Sequence, residues 1–259
     1  MRRGRRRQLG QHFLRDVRVA EAMAAALPSL PPRVLEVGPG KGALTTQLLA
    51  RFPRVHTVEL DPVLAATLQA RLGEPSGLEV TLGDALQMDL DAFAGEGPWS
   101  VAANLPYSVA TPIVRRLLWA GETFPVLVVM VQKEVALRML APPGNAERGA
   151  LSVEVQLLAE GELLFTVPPR CFFPPPKVVS AVVRLRPRAL VEREAVHRAV
   201  ALARRAFCHR RKKLVNALAG VMPNVEAWLA AAEIPAHLRP QELGEEQWLT
   251  LARTWEVAA

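Results

Sequence analysis

The sequence predicts an α/β protein: a mostly parallel, doubly wound, Rossmann-like sheet with a small helical domain at its C-terminal end. Three observations predict it. Short apolar runs alternate with segments of helical period between residues 17 and 131, the pattern of βαβ units. A glycine-rich turn, Glu36-Val37-Gly38-Pro39-Gly40-Lys41-Gly42-Ala43, follows the first of those runs and opens a helix. Beyond Pro187 the strand-like runs stop, and the chain becomes rich in Ala, Leu and Arg.

Taken in order, Val17–Leu27 reads as an Ala-rich helix and Arg33–Val37 as a buried parallel strand. Ala43–Arg51 has helical period, and Val55–Glu59 is a second strand. Pro62 can open the next helix, which runs to about Leu72, because its missing N–H would be unpaired there anyway. Leu78–Leu82 and Trp99–Ala103 are the third and fourth strands, Thr111–Ala120 is helical, and Pro125–Val131 is a fifth, fully buried strand. A Pro/Gly/Asn-rich loop spans residues 141–149. Two more strand-like runs, Leu163–Val167 and Val178–Leu185, flank the stiff segment PPRCFFPPPK. A boundary near 187–190 therefore divides a basic arm (1–15) and an α/β domain (16–187) from a helical domain (188–259).

Composition narrows the class. Half of the 259 residues are hydrophobic, ample for a core, and no run of 18 apolar residues predicts a membrane span. The start, MRRGRRRQLGQHFL, has no apolar stretch for a secretory signal, and no serine or amphipathic period for a transit peptide. Two cysteines, Cys171 and Cys208, lack metal-ligand spacing and make no disulfide framework, so a reduced, cytoplasmic, metal-free protein is expected; a monomer is the expectation for its assembly, though no residue pattern gives the oligomeric state. The net charge of +7 is concentrated. Residues 1–15 carry six Arg, including Arg5, Arg6 and Arg7, and no acid. Residues 204–213 carry four Arg and two Lys, including Arg210, Arg211, Lys212 and Lys213, again with no acid, on what reads as a helix. The remainder holds 20 basic against 25 acidic residues. Two basic clusters on an acidic body point to a polyanionic partner, nucleic acid above all.

Four signals carry chemistry. Gly38 and Gly40 let backbone approach a ligand closely, though the stretch also fits a dinucleotide fingerprint. Glu59 ends the second strand, where an acid can accept from both hydroxyls of a ribose; Asp61 competes for that role or caps the next helix. Asp84, in Gly83-Asp84-Ala85, can accept from an adenine amino group or can simply serve a turn. These three fit nicotinamide and S-adenosylmethionine enzymes alike. Asn104-Leu105-Pro106-Tyr107, after the fourth strand, separates them. An aromatic amine is a poor nucleophile because its lone pair is delocalised. Two acceptors, the Asn104 side-chain oxygen and the Leu105 carbonyl, can hold its two N–H groups and turn the lone pair toward a sulfonium methyl. Pro106 aims the carbonyl, and Tyr107, the single tyrosine, can stack on the base. A dehydrogenase has no use for this arrangement.

With these motifs in order, the chain resembles the ribosomal RNA adenine dimethyltransferases, and most closely their small-subunit (16S) branch. The resemblance covers nearly the whole chain, through GQHFL (10–14), EVGPGKGALT (36–45), VELD (58–61), GDAL (83–86), NLPYSVATPI (104–113) and FFPPPKVVSAVVRL (172–185). It implies an S-adenosylmethionine cofactor held by His12, Leu14, Gly38, Gly40, Glu59, Asp84, Ala85 and Asn104. His12 stands where the pattern often has asparagine. It implies catalysis at Asn104, Leu105, Pro106 and Tyr107, and a target-base pocket near Phe172, Phe173 and Lys177. The implied substrate is two adjacent adenosines in a hairpin loop near the 3′ end of 16S rRNA, within the immature small subunit, each methylated twice at N6. The helical domain and the basic arm would bind RNA. The rivals are the related large-subunit enzyme of antibiotic resistance, which the long FFPPPKVVSAVVRL stretch and basic C-terminal segment disfavour, and a protein acting chiefly as a ribosome-assembly factor.

Overall fold

The computed structural model describes residues 11–257, so Arg5, Arg6 and Arg7 lie outside the described residues. Strand β1 (Phe13–Leu14) precedes α1 (Val17–Ala25), β2 (Arg33–Val37), α2 (Ala43–Leu49), β3 (Arg54–Glu59), α3 (Pro62–Arg71) and β4 (Leu78–Leu82). Then come α4 (Leu90–Gly95), β5 (Ser100–Asn104), α5 (Ala110–Trp119), β6 (Val126–Gln132), α6 (Lys133–Leu140) and α7 (Ala150–Leu158). Strands β7 (Ala159–Val167), β8 (Phe172–Phe173) and β9 (Ser180–Pro187) follow. The chain closes with α8 (Arg193–Phe207), α9 (Leu214–Ala217), α10 (Val225–Ala231) and α11 (Glu245–Val257).

The large sheet has the order β4-β3-β2-β5-β6-β9-β7. Strands β2 to β6 pair in parallel, and β9 joins β6 antiparallel. The central strands read as unbroken apolar runs because both faces of the sheet are covered. Val34 and Ala102 face a core built with Met23, Ala24, Leu44 and Leu48 from α1 and α2. Leu35 and Val101 alternate to the other face and are equally buried. Asp16 and Asp61 cap α1 and α3, Asp61 accepting from Val63 N and Leu64 N with Pro62 in the first turn. The capping reading of Asp61 is the one its side chain satisfies. Away from the main sheet, β1 pairs antiparallel with β8, Phe13 opposite Phe173 and Leu14 opposite Phe172.

The chain divides into two compact units: one division, after Pro187, falls where the sequence placed it, but the expected continuous 16–187 domain is interrupted. One unit runs to Ala136 and resumes over Gly161–Pro187; the other holds Leu137–Glu160 together with the chain from Arg188. The stretch expected inside a continuous 16–187 domain thus contributes a helical excursion to the second unit. Packing is the reason. α7 buries Ser152, Val153, Glu154, Val155, Leu157 and Leu158, more apolar surface than a loop insertion could cover by itself. In the second unit α8 buries Ala195, Val196, Ala199, Val200, Ala203 and Ala206 at helical spacing and packs on both α7 and α11.

A second correction concerns the basic cluster. It does not continue a helix to Lys213: α8 ends at Phe207, and residues 208–213 turn back on themselves. His209 N donates to Ala206 O and Lys212 N to His209 O, so that buried Leu214 can start α9 with its N–H on Leu238 O. The cluster holds no acid of its own, but one of its cations is neutralised from another helix. Arg204 is bonded to the carboxylate of buried Glu154 at 2.9 and 3.1 Å, and Arg210 donates to Ala146 O. Arg210, Arg211, Lys212 and Lys213 remain exposed, displayed on a turn.

Arg148 ties the excursion into its unit. Fully buried, it donates to Ala141 O (2.7 Å), Gln156 Oε1 (2.8 Å), Leu243 O (3.0 Å) and Glu245 Oε1 (2.6 Å). A planar, multi-donor guanidinium can serve four acceptors in three chain segments at once; an ammonium cannot. Arg148→Ala takes the donor from the Leu243 carbonyl and the cation from the Glu245 carboxylate, and should cost about 3–5 kcal/mol in this unit. Amide hydrogen exchange should accelerate in Ala150–Leu158 and Glu245–Val257, with Arg148→Lys restoring only part of the protection. Unchanged exchange in both helices would show that Arg148 does not tie the excursion to the rest of its unit.

Candidate active site

The parallel strands end side by side, and the residues just past those ends form two adjoining hollows. The first, about 660 Å³ including space open to solvent, is lined by Gln11, His12, Leu14, Gly38, Gly40, Glu36, Glu59 and the Asn104-Leu105-Pro106-Tyr107 segment, among others. The second, about 830 Å³ on the same measure, is lined by Asp84, Ala85, Leu60, Leu86, Val109 and Ile113. Gln11, Gly38, Glu59 and Pro106 line both. The cleft therefore gathers every residue assigned above to cofactor or catalysis, with the second hollow the more apolar of the two. Phe172, Phe173 and Lys177 line neither hollow.

Glu59 sits at the hinge between the hollows. Its Oε2 accepts from Gly40 N (3.0 Å) and its Oε1 from Asp61 N (2.9 Å), so the carboxylate also braces the glycine turn. Each oxygen keeps a second lone pair for a hydroxyl. Burial raises its pKa, while the two N–H donors and the Leu60 N–H pull it back. The turn needs its glycines: Gly38 and Gly40 have φ of 70° and 57°, and a Cβ on Gly40 would meet the Phe13 ring at 3.1 Å. Asp84 Oδ1 accepts from Leu86 N (2.9 Å), which is the turn reading, and the residue also lines the second hollow.

Around Asn104 the geometry is directional. Its Nδ2 donates to the His12 carbonyl (3.2 Å). A carbonyl only accepts, so the amide is oriented with Oδ1 left for an incoming N–H. His12 is fixed in turn by its Nδ1, which donates to Pro174 O (2.7 Å), and its ring lies 5.7 Å from that of Tyr107. Tyr107 is half-buried, which raises the pKa of its phenol, and its Oη is 2.7 Å from Ser180 Oγ. The two phenylalanines part company. Phe172 is buried in the core beside Leu14, whereas Phe173 is 56% exposed with the Arg15 guanidinium 5.7 Å above its ring.

Two residues of the cleft were not singled out in the sequence. Glu36 and Gln11 stand within quoted motifs, but nothing in a strand-end Glu or an N-terminal Gln announces a buried polar atom left without a partner. Glu36 Oε2 and Gln11 Oε1 have no hydrogen-bond partner among the described residues. Burial, with the Glu59 charge adding to it, pushes the Glu36 carboxyl up to about 8, and the Thr45 hydroxyl opposes that rise without closing a hydrogen bond. An acid whose folded pKa is raised holds its proton in the folded state after the unfolded state has lost it. Folded stability then falls as pH rises from the ordinary carboxylate range through about 8. Thermal unfolding of the ligand-free protein should show Glu36→Gln gaining on wild type across that window and running parallel to it above. A gap that does not change with pH would mean that Glu36 is charged in the folded state throughout.

Comparison with known proteins meets this geometry. The family model described as ribosomal RNA adenine dimethylase matches residues 2–256. "Ribosomal RNA small subunit methyltransferase A" of Synechococcus sp. (strain CC9902) is 43% identical over 260 residues, spanning 96% of this chain and 95% of that protein. The protein of the same name from Pelotomaculum thermopropionicum is 42% identical, spanning 93% and 86%. Among solved structures, a dimethyladenosine transferase from Plasmodium falciparum superposes with TM-score 0.77 at 26% identity, over 93% of this chain and 96% of that one. The 23S rRNA methyltransferase ErmE superposes with TM-score 0.72 at 30% identity, over 94% and 99%. Matched almost from end to end by the family model and by relatives at 42–43% identity, the chain belongs to the ribosomal RNA adenine dimethylase family.

Proposed function

We propose that the chain is an S-adenosylmethionine-dependent 16S rRNA adenine N6-dimethyltransferase, acting on two adjacent adenosines of a hairpin loop near the 3′ end of small-subunit rRNA in the immature subunit. The observation that carries the reading is the Asn104 amide, turned by the His12 carbonyl so that an acceptor faces the cleft. The names of the small-subunit relatives favour this over the large-subunit substrate of ErmE.

The cleft fits the cofactor on this structure's own terms. Glu36 and Gln11 offer buried, unpartnered oxygens to an ammonium, Glu59 offers lone pairs to ribose hydroxyls, and the apolar second hollow with Asp84 suits a purine carrying an amino group. When bound, the cofactor supplies an electrophilic sulfonium methyl. The chain supplies position. Asn104 Oδ1 and the Leu105 carbonyl accept the two N6 hydrogens, which biases the nitrogen toward a pyramidal form with an available lone pair. Tyr107 stacks on the base and limits its tilt. Each transfer leaves an acidic ammonium that sheds its proton to solvent, so no strong general base is required. After the first methyl, one N–H remains to hold, and the same pair of acceptors serves the second transfer. Of the two phenylalanines, exposed Phe173 beside Arg15 has the surface to meet RNA, with Lys177 also exposed nearby in sequence; Phe172 serves the core.

At saturating cofactor, Asn104→Ala should slow single-turnover methylation of unmethylated small subunits by about a hundredfold or more, the usual cost of misplacing a reacting group. A near-wild-type rate would refute the acceptor role. Transfer of labelled methyl to purified small subunits and to large-subunit RNA in parallel separates the two substrates, and nucleoside analysis identifies the dimethylated base. In the second unit, replacing Arg210, Arg211, Lys212 and Lys213 by Ala should weaken subunit binding. If two or three of them meet phosphate, the slope of log affinity against log salt should fall by about two or three. Cofactor affinity should not change. Equal affinities with parallel salt slopes would exclude the turn from RNA contact.

A further inference from the structure

We infer that Ser180 is a positioning residue for the methyl transfer, acting through Tyr107: the Ser180 Oγ to Tyr107 Oη hydrogen bond sets the plane in which the aromatic ring meets the target base. The inference rests on the proposed stacking of Tyr107 and adds a residue that neither motif chemistry nor the lining of the cleft points to.

Two observations support it. The first is the bond itself, 2.7 Å long and made by a serine that is completely buried. Among the described residues, no other hydrogen bond is recorded for the Ser180 hydroxyl, so this buried hydroxyl is satisfied by Tyr107. The second is where the two residues are anchored. Ser180 opens β9 and faces Gln132 across the β6–β9 ladder. Tyr107 lies three residues beyond Asn104, which faces Met130 across the β5–β6 ladder, and Leu105 N donates to Met130 O. Both ends of the bond are thus mounted on the same three paired strands. Between them, the segment from Leu105 to Tyr107 is held by buried Leu105 and by the Pro106 carbonyl, which accepts from Val109 N, but neither contact fixes the phenol ring itself. With its ring centroid 5.7 Å from that of His12 and its hydroxyl tip on Ser180, the phenol has a neighbour on the ring and a partner at the tip, and the residue lines the first hollow. A phenylalanine would fill the same space without the second point of attachment. Stacking alone tolerates many tilts, whereas methyl transfer requires N6 in line with the carbon–sulfur bond. The hydroxyl pair converts a permissive contact into a directional one.

The experiment is a double-mutant cycle on the full-length protein, with unmethylated small subunits as substrate. Ser180→Ala and Tyr107→Phe should each lower the single-turnover rate at saturating subunits by about two- to tenfold, the range expected for one neutral hydrogen bond. The double variant should be no slower than either single one, and cofactor affinity should stay at the wild-type value throughout. Because Tyr107 is the sole tyrosine, ¹³C-tyrosine labelling gives one set of ring signals, and Ser180→Ala should shift its Cζ resonance. If Ser180→Ala slows transfer as much in the Tyr107→Phe background as in wild type, Ser180 acts by another route and the inference fails. It also fails, with the stacking reading intact, if both single variants run at the wild-type rate while Tyr107→Ala collapses. A wild-type rate for Tyr107→Ala removes the stacking reading and the inference together. Should Ser180→Ala fold poorly, Tyr107→Phe deletes the same bond from its other end and decides the matter.

Discussion

The parallel register of β2 with β3 and β5 is the constraint on which the rest of the cleft depends. Val37 pairs with Val58 on one side and Ala103 on the other, and Glu59 pairs with Leu82. Parallel, in-register strands finish at one edge of the sheet, so the residues that leave those ends converge however far apart they lie in the chain. That edge is where open α/β sheets bind ligands. A slip of one residue between β2 and β5 would turn the side chains of one strand to the wrong face and separate Asn104 from the glycine turn. The apolar character of these strands, covered on both faces, is what holds the register.

On that frame the site is built by acceptor-only and donor-only partners, which leave little freedom. The Glu59 carboxylate takes the Gly40 and Asp61 N–H groups, so the turn and the acid are one device. The His12 carbonyl takes the Asn104 amide, and the Pro174 carbonyl takes the His12 ring. The N-terminal GQHFL segment and the FFPPP segment, 162 residues apart at that contact, are therefore joined before any ligand arrives. The β1–β8 pair reinforces the join. Against this completeness, the unpartnered oxygens of Glu36 and Gln11 stand out as groups whose buried state is unfavourable without a ligand, and favourable with a cationic or hydrogen-bonding one.

The second unit follows another logic. It recruits α7 from the middle of the chain and locks it with Arg148, whose burial is tolerable only because four acceptors and the Glu245 charge surround it. Arg210, Arg211, Lys212 and Lys213 are displayed on a turn rather than along a helix. A turn can present adjacent residues in several directions, whereas a helix would place Arg210 and Arg211 about 100° apart on a surface partly committed to packing.

The order and kind of the main-sheet elements were legible because local rules govern them: apolar runs of strand length, an aspartate or proline at helix starts, glycine where φ is positive. The chemistry of Asn104-Leu105-Pro106-Tyr107 was legible because it is contiguous. What the sequence could not supply depends on contacts between distant segments. Arg148 sits in a loop-like stretch, and only the meeting of three segments shows it buried and bonded. Phe172 and Phe173 are chemically identical neighbours, and strand pairing alone sends one into the core and the other to the surface. The helical reading of 204–213 held only to Phe207; beyond it Leu214 is drawn into its unit's core, a demand that no local propensity records. Ser180 looks like any strand serine until the ladder brings its hydroxyl to the only tyrosine. By itself the sequence determined which segments become strands and helices and which motif carries the reaction, because those follow from neighbours along the chain. Only the tertiary structure decided which polar groups are buried together, because burial is a property of the folded surroundings and not of the residue.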